Sequence, residues 1–424
     1  MSPVDQETLT PMHVAYLMSR FPKISETFVL YEIVALERLG YQVAIFPLIR
    51  EREPVLHAEA GPLVERAYYS RPTEQKVLAA NLFWLRRDPQ RYVAMWAAVL
   101  RHNLRSPKFL VRAVVATLQA AYMAQIMQAT GVEHIHAHFA THAALAAYVA
   151  HRLTDLPYSF TAHADDIYAD QTMLGEKIAR ASFVAAISDY NRRFLQATFG
   201  PAVTERVLVN YCGVDTSVFA PRPERPQHDP LVIVCVARLE AKKGHRYLID
   251  ACARLRDAGV RLRCLLIGDG ELRGEIEAQI AQLNLGEQVT LLGRQPRPQV
   301  QAALANADVM VLPSITTEDR RQEGIPIALM EAMATALPVI STRISGIPEL
   351  IEHGTSGLLV PERNAAALAN ALLLLAQNPD AGRVLGMAGR NRVLQVFDLQ
   401  HNTATLAGYF QHVRTAMAVT PKLG

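Results

Sequence analysis

APRPERPQHDP, residues Ala220–Pro230, divides the chain. Four prolines set among charges cannot continue a helix or a sheet ladder, so the segment reads as a linker between two folded bodies. Beyond it the chain restarts with LVIVCVARL (Leu231–Leu239), a short apolar run of strand composition. RCLLIGDG (Arg263–Gly270), QVTLLG (Gln288–Gly293), DVMVLP (Asp308–Pro313) and PVIST (Pro338–Thr342) follow, each separated from the next by a helical pattern. The same rhythm precedes the linker, in HVAYLM (His13–Met18), YQVAIFPL (Tyr41–Leu48), HIHAHF (His134–Phe139), YSFTAH (Tyr158–His163), SFVAAIS (Ser182–Ser188) and ERVLVN (Glu205–Asn210). Strands alternating with helices predict parallel sheets with crossover helices. Such sheets bind ligands beyond the carboxyl ends of their strands. The expectation is an α/β protein of two Rossmann-like domains, residues 1–219 and 231–395, facing one cleft.

Bulk properties narrow the class. A chain of 424 residues has room for two or three domains. Its 43 basic and 40 acidic residues give a net charge of +3, without the basic excess of a nucleic-acid binder. The four cysteines, Cys212, Cys235, Cys252 and Cys264, form no C-x-x-C pair and read as buried free thiols in a reducing compartment. MSPVDQETLTPM at the start lacks the basic and apolar segments of a secretory signal. The most apolar long segment, around Leu110–Met127, is interrupted by Arg112, Gln119 and Gln125, which argues against a spanning helix. A cytoplasmic protein is expected.

One long helical stretch, Thr73–Thr130, invites a membrane-surface reading. Between Trp84 and Gln128 it carries Arg86, Arg87, Arg91, Arg101, Arg105, Lys108 and Arg112 against the single acid Asp88, with Trp84, Tyr92, Trp96 and Phe109 interleaved. A basic, aromatic helix can lie on anionic lipid, with Trp84 and Trp96 as interfacial anchors. The alternative is a solvated face whose tryptophans are core.

The candidate chemistry is concentrated in EGIPIALMEAMATALPVISTRISGIPELIEHGTSGLLV (Glu323–Val360). Gly324, Ile325 and Pro326 lead into a helical run starting near Ile327, which would aim free backbone N–H groups at an anion such as phosphate. Glu323 in the loop and Glu331 within the helix can accept hydrogen bonds from sugar or ribose hydroxyls. A phosphate held at such a helix start carries negative charge that nearby donors or cations must stabilise. No Asp-x-Asp metal motif occurs in the chain, and Arg238 and Lys243 after the Leu231 strand can supply fixed cations instead. His163 ends a strand and precedes Asp166. HIHAHFATH offers His134, His136, His138 and His142; residues two apart share a strand face, so His136 and His138 can point together, and His138 can meet His142. That raises a metal site, but no cysteine lies nearby, and the reading taken is no metal, with His138 at the strand tip. IGDG (Ile267–Gly270) lacks the third glycine of a dinucleotide fingerprint, since Arg273 occupies its place.

Together these motifs resemble the E-x7-E family-four group of retaining GT-B glycosyltransferases. VARLEAKKG (Val236–Gly244) is similar to that family's R-x4-K-G element, NYCGVDTSVFAP (Asn210–Pro221) to its N-x-G-V-D element, and LLIGDGELR (Leu265–Arg273) to its Gly-x-Gly loop. SRFPKISETFV (Ser19–Val29) is similar to members that build colanic-acid-like exopolysaccharides. The resemblance implies that Glu323 contacts the donor sugar, Glu331 the ribose, Arg238 and Lys243 the diphosphate, and His163 the sugar near the reaction centre. Arg294 would border the nucleotide base. Ser25, Glu26, His138 and Asp166 become candidates for the acceptor side. It further implies a metal-independent hexosyltransferase without a cofactor, taking a UDP- or GDP-sugar to a saccharide or lipid-linked acceptor at the inner face of the plasma membrane, and a last helix, Leu399–Met417, packing back on the first domain. A GT-B nucleotide-sugar epimerase and a catalytically silent sugar-nucleotide-binding scaffold are the rival readings. The chain departs from the family in three places. Ala336 stands where glycine is usual, Ile315–Glu323 is a longer loop, and SRFPKISE replaces a glycine-rich loop.

Overall fold

The structure, a computed structural model, describes residues 10–23, 26–52, 57–104, 107–221 and 228–419. Ser25, Arg105 and most of the proline-rich linker lie outside the described residues. The chain divides into two compact units, Met1–Asn210 with Thr403–Gly424, and Tyr211–Asn402.

The first unit is built on a six-stranded parallel sheet of β1 (His13–Phe21), β2 (Gln42–Arg50), β3 (His134–His138), β4 (Tyr158–Ala162), β5 (Phe183–Ala186) and β6 (Val207–Val209), in the order β2-β1-β3-β4-β5-β6. The second holds another, of β7 (Leu231–Val236), β8 (Leu262–Ile267), β9 (Val289–Gly293), β10 (Val309–Leu312), β11 (Val339–Thr342) and β12 (Leu358–Val360), in the order β12-β11-β10-β7-β8-β9. Helices cover both faces, so β10 and β11 are buried throughout, which is why they read as unbroken apolar runs. Strand order reverses between β1 and β3 in one sheet and between β7 and β10 in the other. Where it reverses, the loops after the two strands leave in opposite directions and open a crevice. The candidate residues fall on these loops.

The stretch expected as one helical region is three helices, Gln75–Arg87, Pro89–Asn103 and Pro107–Ala129. Pro89 and Pro107 disfavour helical geometry in the residues before them and start new helices, and the Asp88 carboxylate caps the second by accepting from Arg91 N–H at 2.9 Å. Within the third, Phe109–Ala129 is long and apolar enough to cross a membrane by length and composition. Here it is a core helix: Ala113, Ala116, Ala120, Ala124 and Met127 are buried. Its polar interruption Gln119 is buried too, and its amide donates to the carbonyls of Leu48 (2.9 Å) and Ser70 (2.6 Å). Trp84 does not serve as an interfacial anchor. It is buried, with its indole N–H donated to Ala121 O at 2.8 Å, because an indole inside the core needs one acceptor. Trp96 packs half-buried on the same core.

The last helix, Leu399–Val419, belongs to the first unit from Thr403 onward. Leu406, Ala407 and Phe410 are buried there. Phe410 lies 4.8 Å from His134 and 5.9 Å from Phe183 between ring centroids, and Gln411 donates to the Tyr41 hydroxyl at 2.8 Å.

Candidate active site

In the second unit the loop after β7 is pressed against the loop after β8 at Gly268 and against the loop after β10 at Gly244. Gly268 (φ 140°) has no room for a Cβ because the Ala237 carbonyl occupies that space. Gly244 (φ 68°) is closed off in the same way by the Pro313 carbonyl, and Ile315 N–H donates to Lys242 O at 2.8 Å. This close approach lets Lys243 reach Glu323, 80 residues away in sequence, with Nζ 2.8 Å from Oε2. Lys243 lies in a single 3-10 turn, Ala241–Lys243, rather than at the start of the helix, which begins at His245 after Gly244.

Lys242, which the sequence reading passed over, is buried as well, and its Nζ stands 3.6 Å from Glu323 Oε1. Burial pushes the Glu323 pKa up, but the attraction of Lys243 and Lys242, the Lys243 hydrogen bond and the charge of Arg238 outweigh it and hold the group at about 2. Oε1 is buried without a hydrogen-bond donor among the described residues, an open acceptor in an otherwise satisfied cluster. Arg238 sits two residues past β7, its guanidinium paired with Glu240 and its side chain 47% exposed.

The helix Ile327–Ala334 follows Gly324, Ile325 and Pro326, all buried, with Pro326 at the N-cap. Glu331 is one turn into this helix and partly buried. Burial pushes its carboxyl up to about 7 against the pull of Arg297, so it has lost water without gaining a strong partner. The helix closes on a Schellman turn, in which Ala336 N–H donates to Met333 O (2.9 Å) and Leu337 N–H to Ala332 O (3.1 Å). That turn requires a left-handed residue, and Ala336 adopts φ 56°. The tip of the Ile315–Glu323 loop is a closed, solvated turn in which Thr317 N–H donates to Arg321 O at 2.9 Å and Glu318, Asp319 and Arg320 are exposed. Arg294 follows β9 and is exposed.

In the first unit the tips of β3 and β4 carry His138 and His163, both buried. Asp166 is a clamp on the backbone there: its carboxylate accepts from Ala140 N–H (2.7 Å), Ala164 N–H (2.6 Å) and His163 N–H (3.0 Å). Asn191, also missed by the sequence reading, donates to the His163 carbonyl. Phe28 and Phe139 flank the His163 ring at centroid distances of 4.7 and 4.5 Å.

His138 Nδ1 is 3.2 Å from His163 Nε2, and His138 Nε2 is 3.0 Å from Glu32 Oε1, which also accepts from the Tyr16 hydroxyl at 2.6 Å. Desolvation lowers the pKa of His163 and His136 well below 6.5 and that of His134 to about 3, so these rings are neutral. His136 does share a face with His138, but its nitrogens are held by Ser159 Oγ (2.8 Å) and Thr161 Oγ1 (3.0 Å). His142 stacks on Phe109 instead of meeting His138. Glu26 precedes the helix Thr27–Arg38 and is paired with Lys23. Glu32 was detectable as the one acid inside that helix's apolar run FVLYEIVAL, Phe28–Leu36.

Two parallel sheets of this order, each with polar residues on the loops at its strand-order reversal, define a glycosyltransferase of the GT-B type, and comparison with known proteins agrees. The chain belongs to the family-four, group 1 glycosyltransferases: residues 25–218 match "Glycosyltransferase Family 4" and residues 219–392 match "Glycosyl transferases group 1". It is 31% identical to the Escherichia coli protein WcaL, named for colanic acid biosynthesis, over 94% of this chain and 100% of that protein. It is 32% identical to the amylovoran biosynthesis glycosyltransferase AmsK of Erwinia amylovora, over 92% of this chain and 97% of that one. Among solved structures, the sucrose-phosphate synthase of Thermosynechococcus elongatus aligns with a TM-score of 0.70 at 20% identity, covering 96% of this chain and all 100% of that one. The Anabaena protein HepE, solved with UDP, aligns at 0.69 and 19% identity over 96% of this chain and 100% of its own. These structural likenesses show the fold. The family and the named relatives show a glycosyltransferase of exopolysaccharide biosynthesis.

Proposed function

We propose that the protein transfers a hexose, with retention at the anomeric carbon and without a metal ion, from a UDP- or GDP-sugar to a growing exopolysaccharide or lipid-linked saccharide. The carrying observation is the buried Glu323–Lys243–Lys242 cluster at the strand-order reversal of the second sheet, with Glu323 Oε1 left open. Lys243 and Arg238 stabilise the departing diphosphate, Glu323 Oε1 accepts from a sugar hydroxyl, and Glu331 accepts from the ribose. The leaving phosphate serves as base for the incoming hydroxyl. Glu323 is held by ammonium groups rather than placed as a nucleophile, so no covalent glycosyl–enzyme step is included. UDP stands in the solved HepE structure, while a Mycolicibacterium smegmatis mannosyltransferase 30% identical over 54% of this chain is named for GDP-mannose, so both donor classes belong in the test.

Incubation with a panel of UDP- and GDP-sugars should release nucleoside diphosphate from one of them, in excess EDTA as well as without it, and the product linkage should keep the donor's anomeric configuration by NMR. An isomerised free donor would mean an epimerase; binding without turnover would mean a scaffold. Strict dependence on a divalent ion would refute the metal-free scheme.

The proposed workplace is the inner face of the plasma membrane. Leu78, Leu82, Val93, Leu104 and Val111 are exposed on the three helices after Gln75, beside exposed Arg86, Arg101 and Arg112. Each cation near an anionic surface contributes about 1 kcal/mol, less in high salt. Salt-sensitive binding to anionic vesicles, weakened by Arg101→Gln with Arg112→Gln, is expected. Equal partition to neutral and anionic vesicles would favour a solvated face.

A further inference from the structure

Among the described residues, Glu32, His136 and His138 bring one ligand atom each within 4.8 Å of one another, the arrangement from which a metal cage is usually argued. The hydrogen bonds around them suggest something else. Both nitrogens of His136 already face hydroxyls, and the remaining members form a directional chain, Tyr16–Glu32–His138–His163, whose protons can be assigned by elimination.

The Tyr16 phenol stays protonated, because burial and then the Glu32 charge raise its pKa, and it donates to Glu32. A carboxylate only accepts, so His138 must present Nε2–H to it. When that is the only proton on the His138 ring, Nδ1 carries a lone pair, and the 3.2 Å contact there is filled by a proton on His163 Nε2. Neutral His163 is left with its lone pair on Nδ1, which has no hydrogen-bond partner among the described residues. Phe28 and Phe139, the latter at φ 75°, hold the ring against flipping.

We propose that Glu32 and His138 are positioning residues that lock His163 in its Nε2–H tautomer and so make its Nδ1 a hydrogen-bond acceptor for a substrate hydroxyl. The second half of this statement rests on the sugar-contact role proposed for His163; the first half does not. The chain can also take up one proton without leaving charge on His163. A proton arriving at Nδ1 from solvent is matched by transfer of the Nε2 proton to His138 Nδ1, and the resulting imidazolium lies against the Glu32 carboxylate.

The test is long-range 15N–1H NMR of the full-length protein labelled at histidine, with His163 assigned by the loss of its signals in His163→Gln. A protonated Nε2 and an unprotonated Nδ1 are expected, and a proton on Nδ1 would overturn the proposal outright. Glu32→Ala and His138→Phe should each release the tautomer. They should also lower kcat by about 10–100-fold, the usual size of an outer partner's effect, with donor KM within about twofold. Glu32→Gln, which keeps an acceptor oxygen, should recover most of that loss. Unchanged His163 nitrogen shifts in folded Glu32→Ala would also overturn the lock. Stoichiometric Zn²⁺ binding that shifts both His136 and His138 would replace it with a metal cage. If the tautomer is as stated but His163→Ala leaves turnover intact, the lock stands and the sugar-contact role fails.

Discussion

The two polar centres of this molecule sit at equivalent places, the strand-order reversals of two parallel sheets, yet they are built from opposite materials. In the second unit a buried and a partly buried ammonium group hold a buried carboxylate ionised, with Glu323 at about 2. In the first unit the buried rings of His134, His136 and His163 are neutral, and what fixes the cluster is the direction of each hydrogen bond. A charged centre acts through field strength and is hurt most when one charge is left alone. A neutral centre acts through geometry and is hurt most when a donor or acceptor is misplaced. The contrast fits a unit that meets a diphosphate and one that meets hydroxyls.

The sharpest way to break this contrast is to remove cations. Arg238→Ala and Lys243→Ala should each lower turnover by about 100–1,000-fold, because both charges are needed as diphosphate leaves. Their stabilities should differ. Lys243→Ala removes the hydrogen-bonded partner of a buried carboxylate and leaves it to Lys242 at 3.6 Å, which should cost about 1.5–3 kcal/mol in urea unfolding, whereas the half-exposed Arg238 pair should cost less than about 1. Near-normal turnover of either variant would remove that residue from the chemistry, and equal stabilities would dissolve the argument from burial.

Asp166→Asn probes the neutral unit. Asparagine retains one acceptor oxygen where Asp166 serves three backbone N–H groups, and its amide N–H group meets donors. A loss of about 3 kcal/mol is expected by thermal or urea unfolding; a change below about 1 would show that the strand tips hold without the clamp.

Two glutamates eight residues apart supply a pH test inside the charged unit. Glu323 is depressed, so its stabilisation is complete above its unfolded pKa near 4.5 and is lost as pH falls toward about 2. Glu331 is raised, so its cost is absent below 4.5, grows as pH rises, and is complete above about 7. Glu331→Gln should therefore stabilise the protein by about 2 kcal/mol at pH 8 and by almost nothing at pH 4.5. A gain independent of pH would mean that the Glu331 carboxyl is not desolvated.

The smallest effect belongs to Ala336. A left-handed alanine is strained, and Ala336→Gly should raise stability by about 0.5–1 kcal/mol without altering turnover. A loss of stability would show that the Schellman turn tolerates the methyl group without strain.

The alternation of apolar runs made the strands legible, since a strand buried on both faces has no polar side to disguise it. Glu323, Arg238, Lys243 and His163 could be singled out because each lies near a strand end or a glycine-marked turn, and Glu331 because it stands eight residues after Glu323 on the helix that turn begins. Their partners were less visible. The Lys243–Glu323 contact spans 80 residues and depends on two loops meeting at Gly244, and His138–Glu32 spans 106. Local pattern holds no record of such distances. The helix Gln75–Arg87 left two readings open for another reason: it carries apolar residues on both sides, Trp84 inward and Leu78, Leu82 and Phe83 outward. With apolar residues on the solvent side as well, its pattern does not tell whether Trp84 is core.

The last helix has a consequence for synthesis. Leu406, Ala407 and Phe410 complete the core that β1 begins, but the 192 residues of the second unit, Tyr211–Asn402, are made in between. At about 5–20 residues per second a ribosome spends roughly 10–40 s on them, and through that interval the nascent first unit holds an open apolar groove where Phe410 will lie. The part of the enzyme begun first is finished last, so a stop codon shortly before Thr403 would deprive the first unit of its closing helix while leaving the second essentially whole.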